Sequence, residues 1–318
     1  MSKAIRLFIL APLALAWLHG SALAQGGVTN STKNANQIAI LHWYQANLTS
    51  SFGVGQSASG VTFDGANIWV TDGLGTTATK LRASDGAVLG TSSGLDLQPT
   101  SIIYDGTNLW IGCTAAGIVD KVRASDGAVI GRFNVRTGGN VQVLLAFDGA
   151  NIWAIVPGKV TKLRATDGAV LGTFPVGINP TGVAFDGANI WVANLGNDTV
   201  TKLRAADGTV LGTFPVGINP TGAAFDGANI WVANLDSSTV MKLRPSDGAV
   251  LGTFSVVRPT GLLFDGANIW MTNSTGVTKL RASDGAVLGT FTLGSPNGSM
   301  AFDGANLWLT NGGSVSKL

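Results

Sequence analysis

The stretch Pro180-Thr181-Gly182-Val183-Ala184-Phe185-Asp186-Gly187-Ala188-Asn189-Ile190-Trp191-Val192-Ala193-Asn194 is followed by Thr199-Val200-Thr201-Lys202-Leu203-Arg204 and by Asp207-Gly208-Thr209-Val210-Leu211-Gly212-Thr213-Phe214. Gly182 to Phe185 is a short apolar run of strand type. Asp186-Gly187 then breaks it, because glycine accepts positive φ and aspartate bonds to its own turn. Asn189 to Ala193 reads as a second strand, Asn194 to Asp198 as a polar loop, and Val200 to Arg204 as a third strand carrying outward polar residues. Asp207-Gly208 makes another hairpin turn into a fourth strand, Val210 to Phe214. Four short strands joined by hairpins make one antiparallel sheet. The first two strands are apolar at nearly every position, as expected where both sheet faces are covered. The third carries Thr and Lys and is expected nearer the rim, its basic residues solvated.

The same unit recurs along the chain. The turn aspartates of the first phrase are Asp64, Asp105, Asp148, Asp186, Asp226, Asp265 and Asp303, at spacings of 41, 43, 38, 40, 39 and 38 residues. Each is followed five residues later by a tryptophan: Trp69, Trp110, Trp153, Trp191, Trp231, Trp270 and Trp308. The Lys-Leu-Arg phrase follows each copy, with Val122 for Leu in the second, and the last one stops at Lys317-Leu318. Seven copies at a period near 40 predict an all-β fold, a seven-bladed β-propeller with four antiparallel strands per blade. The seventh copy has only three strands. Leu48 to Val54 resembles the fourth-strand phrase Leu211 to Val216, so the N-terminal strand is expected to complete the last blade, close the ring and remove the exposed sheet edge.

Ahead of the repeats, Met1–Ala24 reads as a secretory signal. Lys3 and Arg6 supply the positive start, Leu7 to Leu18 the apolar core, and Ala22-Leu23-Ala24 the small-x-small cleavage site. The apolar run is short for a span, which needs about 20 residues. The reading is therefore an exported protein, periplasmic or secreted, with a signal peptide at 1–24, a loose leader at 25–36 and the propeller at 37–318. The 20 Lys and Arg balance 18 Asp once Lys3 and Arg6 leave, so no basic field favours nucleic acid or an anionic membrane. Cys113 is the only cysteine and cannot form an internal disulfide; it reads as a small filler in a packed strand.

The phrases Phe185-Asp186-Gly187-Ala188-Asn189-Ile190-Trp191-Val192-Ala193-Asn194 and Thr199-Val200-Thr201-Lys202-Leu203-Arg204 resemble bacterial YVTN/NHL-type propeller repeats. They are also similar to the repeats of virginiamycin B lyase-like propellers. The resemblance runs from about Ile38 to Leu318 and implies the propeller fold, which hosts many unrelated roles. Lyases of that type use histidine and glutamate around a divalent metal. This chain contains no glutamate, and its histidines are His19, inside the signal, and His42, ahead of the repeats. That constellation cannot be carried over residue by residue.

The inventory speaks against catalysis. Thirteen of the 18 aspartates belong to the two Asp-Gly turns, and only Asp72, Asp96, Asp120, Asp198 and Asp236 lie outside them. No catalytic residue, cofactor or metal ligand is assigned. In a propeller the loops entering the first strand and leaving the second share one face around the channel mouth, where ligands bind. Asp72, Asn194, Asn234, Asn273 and Asn311 stand three residues after their tryptophans and are expected on that face. There they either bond a ligand or cap their own loops. Asp96, Arg136 and Arg258 break the repeat in the other loop and complete the candidate set. The expectation is a non-catalytic binding or scaffold propeller, a monomer whose partner is an unknown protein, peptide or glycan. The alternative is a virginiamycin B lyase-like lyase or hydrolase.

Overall fold

The computed structural model describes residues 50–135, 142–293, 296 and 298–318. The chain divides into Met1–Gln45 and Ala46–Leu318, and every described residue belongs to the second unit. The signal, the leader, His42 and Arg136 lie outside the described residues.

Seven four-stranded antiparallel sheets follow one another along the chain. In the fourth blade Pro180–Phe185, Asn189–Asn194, Thr199–Arg204 and Val210–Pro215 pair in sequence order. The registers are Val183↔Val192, Val192↔Thr201 and Thr201↔Thr213. The fold is a seven-bladed β-propeller. The seventh sheet joins Met300–Phe302, Leu307–Asn311 and Ser314–Lys317 to the strand Ser50–Gly53, with Phe52 opposite Val315.

The core lies between blades. Trp191 packs with Ile230, Val232 and Leu243 of the next blade, and Trp153 with Ile190, Val192 and Leu203. Each sheet is thus apolar on both faces, which is why its second strand reads as an unbroken hydrophobic run. The turn glycine of one blade meets the fourth strand of the blade before it. At Gly208, φ is 78° and an added Cβ would stand 2.1 Å from Phe174 Cζ, so conformation and space both demand glycine. Near the axis an added Cβ on Gly182 would stand 2.7 Å from Gly222 Cα, so glycine there lets inner strands of neighbouring blades approach.

The third strand departs from expectation. Lys121, Lys162 and Lys202 are buried rather than solvated. The Lys202 ammonium lies 5.3 Å from the centroid of its own blade's Trp191 and donates to Pro245 O of the next blade at 2.6 Å. Lys162 does the same with Trp153 and Ala205 O at 2.6 Å. The aliphatic stem covers the indole while the charge finds a carbonyl across the seam, so burial leaves no donor stranded. The strand therefore belongs to the core, and the solvated charges are the neighbouring arginines, each paired with its turn aspartate, as Arg204 with Asp207 at 3.0 Å.

Candidate functional site

The loops entering each blade and those joining its second and third strands meet on one face. Their backbones are tied together: Leu195 N donates to Asn179 O at 3.0 Å, Leu235 N to Asn219 O at 2.9 Å and Thr114 N to Gln98 O at 2.8 Å. Gln98, Asn179, Asn219 and Arg258 hold φ of 58°, 49°, 52° and 38°, each just before a proline. This left-handed conformation is unfavourable for a non-glycine residue. The residue ahead of each is turned out to solvent. Leu97, Ile178, Ile218 and Val257 are 60, 58, 55 and 68% exposed, and the last three sit on consecutive blades.

The asparagines are placed differently from these aliphatic side chains. Asn194 is fully buried; its Oδ1 accepts from Gly177 N at 3.0 Å and its Nδ2 donates to Thr199 Oγ1 at 3.2 Å and Thr201 Oγ1 at 2.9 Å. Asn273 is buried and bonds to Thr275 and Thr278. Asn311 is half-buried and donates to Leu293 O at 2.8 Å. Asn234 is buried, donates to Thr239 Oγ1 at 3.3 Å, and has an Oδ1 with no hydrogen-bond partner among the described residues. Met241 stands at the position of Thr201 in that blade, which removes the hydroxyl that braces the amide in the fourth. Asp72 is buried and accepts from Gln56 N at 3.2 Å, Ser57 N at 2.9 Å and Leu74 N at 3.3 Å. These five side chains bond mainly to their own blade's loops and strands. Arg258 is exposed and pairs with Asp236 at 3.3 Å, beside the Asn219–Asp236 bond.

Asp96 belongs to a cluster confined to the second blade. There the ladder Asn194–Thr201–Thr213 is replaced by Cys113–Asp120–Arg132 at the same register positions. Asp120 is fully buried. It accepts from Asp96 N at 2.8 Å and from Arg132 Nε at 3.2 Å, and it receives the Cys113 thiol at 3.7 Å. Arg132 Nε also lies 3.4 Å from Asp96 Oδ2, and Arg132 Nη2 donates to Gly94 O. Burial pushes the Asp120 carboxyl up, aided by the Asp96 charge and opposed by the Asp96 amide and Arg132. Burial likewise pushes the Cys113 thiol up, so it stays protonated. A carboxyl with no solvent contact cannot reach a substrate, so the cluster braces the loop at Gly94 to Gln98. Asp120 and Arg132 are absent from the sequence-based site set. The signal that marks them is their departure, together, from threonine in the corresponding positions of other blades.

The seven inner strands enclose a cavity of about 460 Å³. Ser59, Thr100, Thr181, Thr221 and Thr260 ring it at one level. Among the described residues no group of three or more His, Cys, Asp or Glu is placed to hold a metal ion, and no helix is long and apolar enough to cross a membrane.

No protein-family model matches the chain, and no curated protein matches it in sequence. Among solved structures it is similar to a streptogramin B lyase, at 14% identity and a TM-score of 0.71 over 85% of this chain and 96% of that one. It is equally similar to virginiamycin B lyase from Staphylococcus aureus, at 14% identity and a TM-score of 0.71 over 85% of this chain and 98% of that one. The virginiamycin B lyase-like resemblance read from the repeats therefore holds at the level of the propeller fold.

Proposed function

We propose that the chain is an exported, non-catalytic binding propeller that docks a protein or peptide on the loop face around the channel mouth. The observation that supports this is the arc formed by Ile178, Ile218 and Val257, each more than half exposed on consecutive blades. Exposed aliphatic side chains held at matching positions by strained backbone are a recognition feature rather than scatter. Of the charged groups beside them, Arg258 and Asp236 neutralise each other and Asp198 is half-buried and held by Asn219 N at 2.8 Å, so the arc suits an apolar stretch of partner.

A peptide array probed with the chain and with the Ile178→Asp/Ile218→Asp variant tests the reading. Apolar peptides are expected to bind the parent and to lose at least tenfold in signal with the variant. A control, Val210→Asp on the outer strand, is expected to bind as the parent does. Equal binding by all three proteins, or no binding by any, refutes the reading. The lyase alternative is supported by likeness of fold alone.

A further inference from the structure

The channel has a chemistry of its own, set by the seven strands that line it. Each inner strand is the last strand of its sheet, so one of its edges pairs with no other strand. Such an edge presents backbone N–H and C=O groups that need polar company. Side chains add two tiers. The outer tier is the hydroxyl ring of Ser59, Thr100, Thr181, Thr221 and Thr260, all half-buried. Their donor hydrogens are largely committed: Thr181 Oγ1 donates to Pro220 O at 2.6 Å and Thr221 Oγ1 to Pro259 O at 3.0 Å, each across to the next blade. A hydroxyl that has given its one hydrogen still offers lone pairs. The ring is thus an acceptor surface for ligand hydroxyls.

Two residues further along the same strands the lining turns aliphatic. Val183, Ala223, Leu262 and Met300 line the cavity and remain half-buried, with surface free inside it. No ionisable side chain lines the cavity among the described residues. A charged ligand would lose its hydration there without gaining a counter-ion, whereas an uncharged one meets hydrogen-bonding groups at the ring and hydrocarbon below it.

We infer that the channel binds one uncharged amphiphile, its hydroxyl-bearing head at the threonine ring and its hydrocarbon portion against the tier from Val183 to Met300. This site is separate from the aliphatic arc outside, so either can fail without the other.

The probe is octyl β-D-glucopyranoside below its micelle concentration, titrated calorimetrically into the chain. Methyl β-D-glucopyranoside, octyl sulfate and octylammonium serve as comparisons. The expected result is one octyl glucoside per chain, bound at least tenfold more tightly than any of the three. Ala223→Asp is expected to weaken it by at least tenfold, and Ile178→Asp/Ile218→Asp to leave it unchanged. Thr221→Val, which keeps the side-chain shape, is expected to weaken it about threefold; its melting temperature and that of Ala223→Asp show that the fold persists. Equal affinity for neutral and charged octyl compounds, several molecules bound per chain, or no binding overturns the inference.

Discussion

Asp186 shows how much one turn residue does. Its carboxylate accepts from Ala188 N at 2.9 Å, Asn189 N at 2.6 Å and the Trp191 indole at 2.8 Å, with Asn189 Nδ2 adding a fourth donor. The turn is tied to the buried ring that holds the next blade, and the same clasp recurs at Asp64–Trp69 through Asp303–Trp308. Replacing Asp186 with alanine leaves these donors to water or to nothing, and about 3 kcal/mol of stability is expected to be lost in urea titration. Trp191→Phe removes the indole donor and also leaves a void where the larger ring packed against the next blade, so about 2–3 kcal/mol is expected to be lost. The pH dependence follows. Burial alone raises the Asp186 carboxyl, but the bonds from Trp191, Asn189 and Ala188 outweigh it and hold it below the ordinary value of 3.8. A folded pKa below the unfolded one contributes stability that is present above the unfolded value and is lost as pH falls through the folded value. Melting temperature measured from pH 5 down to pH 2 is expected to fall less steeply for Asp186→Asn than for the parent. An identical slope would show that the clasp does not couple to protonation.

At the scale of the element, the second blade tests whether its cluster is one unit. Arg132→Thr restores the repeat's residue but leaves Asp120 buried beside Asp96 without its counter-ion. Removing one partner of a buried pair costs about 3–5 kcal/mol, and the half-exposed arginine brings the expected loss down to about 1–3 kcal/mol. Reverting Cys113→Asn, Asp120→Thr and Arg132→Thr together rebuilds the neutral ladder of the fourth blade, so the triple variant is expected to melt above Arg132→Thr. The sign at Asp120 is opposite to that at Asp186. Its folded pKa is raised, so its contribution to stability grows as pH falls through the folded value and is absent above it. Loss of that component in the triple variant, seen by melting between pH 7 and pH 4, checks the assignment. The cluster also marks the limit of the sequence. The strands and turns of the fourth blade were legible because each obeys a local rule, a short apolar or alternating run bounded by an Asp-Gly turn. Asp120 meets Arg132 and Asp96 only after three strands have paired, and no local pattern announces that meeting. The buried lysines were missed for a related reason, since their acceptors lie one blade away.

Over the whole molecule, stability is a sum of seams, and one seam is built differently. Among the described residues six lysines bridge to the next blade's turn, from Lys80 reaching Ala124 O at 2.8 Å to Lys317 reaching Ala83 O at 2.8 Å. The bridge at Lys317 joins the end of the chain to the first blade. The sixth blade faces the seventh, whose third strand is Ser314–Lys317 and whose fourth is Ser50–Gly53. Lys279 stays within its own blade among the described residues, 4.6 Å from the Trp270 ring and 3.9 Å from Asp265. The packing loosens with it. Trp270 is 9% exposed where the other six repeat tryptophans are at most 1%, and Phe291 is 39% exposed. Regions with fewer covering groups open at lower free energy than the whole. Hydrogen exchange followed by mass spectrometry is therefore expected to show the least protection in strands Asn268–Asn273 and Gly276–Arg281, compared with the corresponding strands of the fourth blade. Lys279→Met is expected to change that protection little, because no bridge is lost. Lys202→Met removes the bond to Pro245 O and is expected to bring the fourth seam toward the exchange rate of the sixth. Uniform protection around the ring in the parent would mean that the lysine bridges do not set the order in which the blades part.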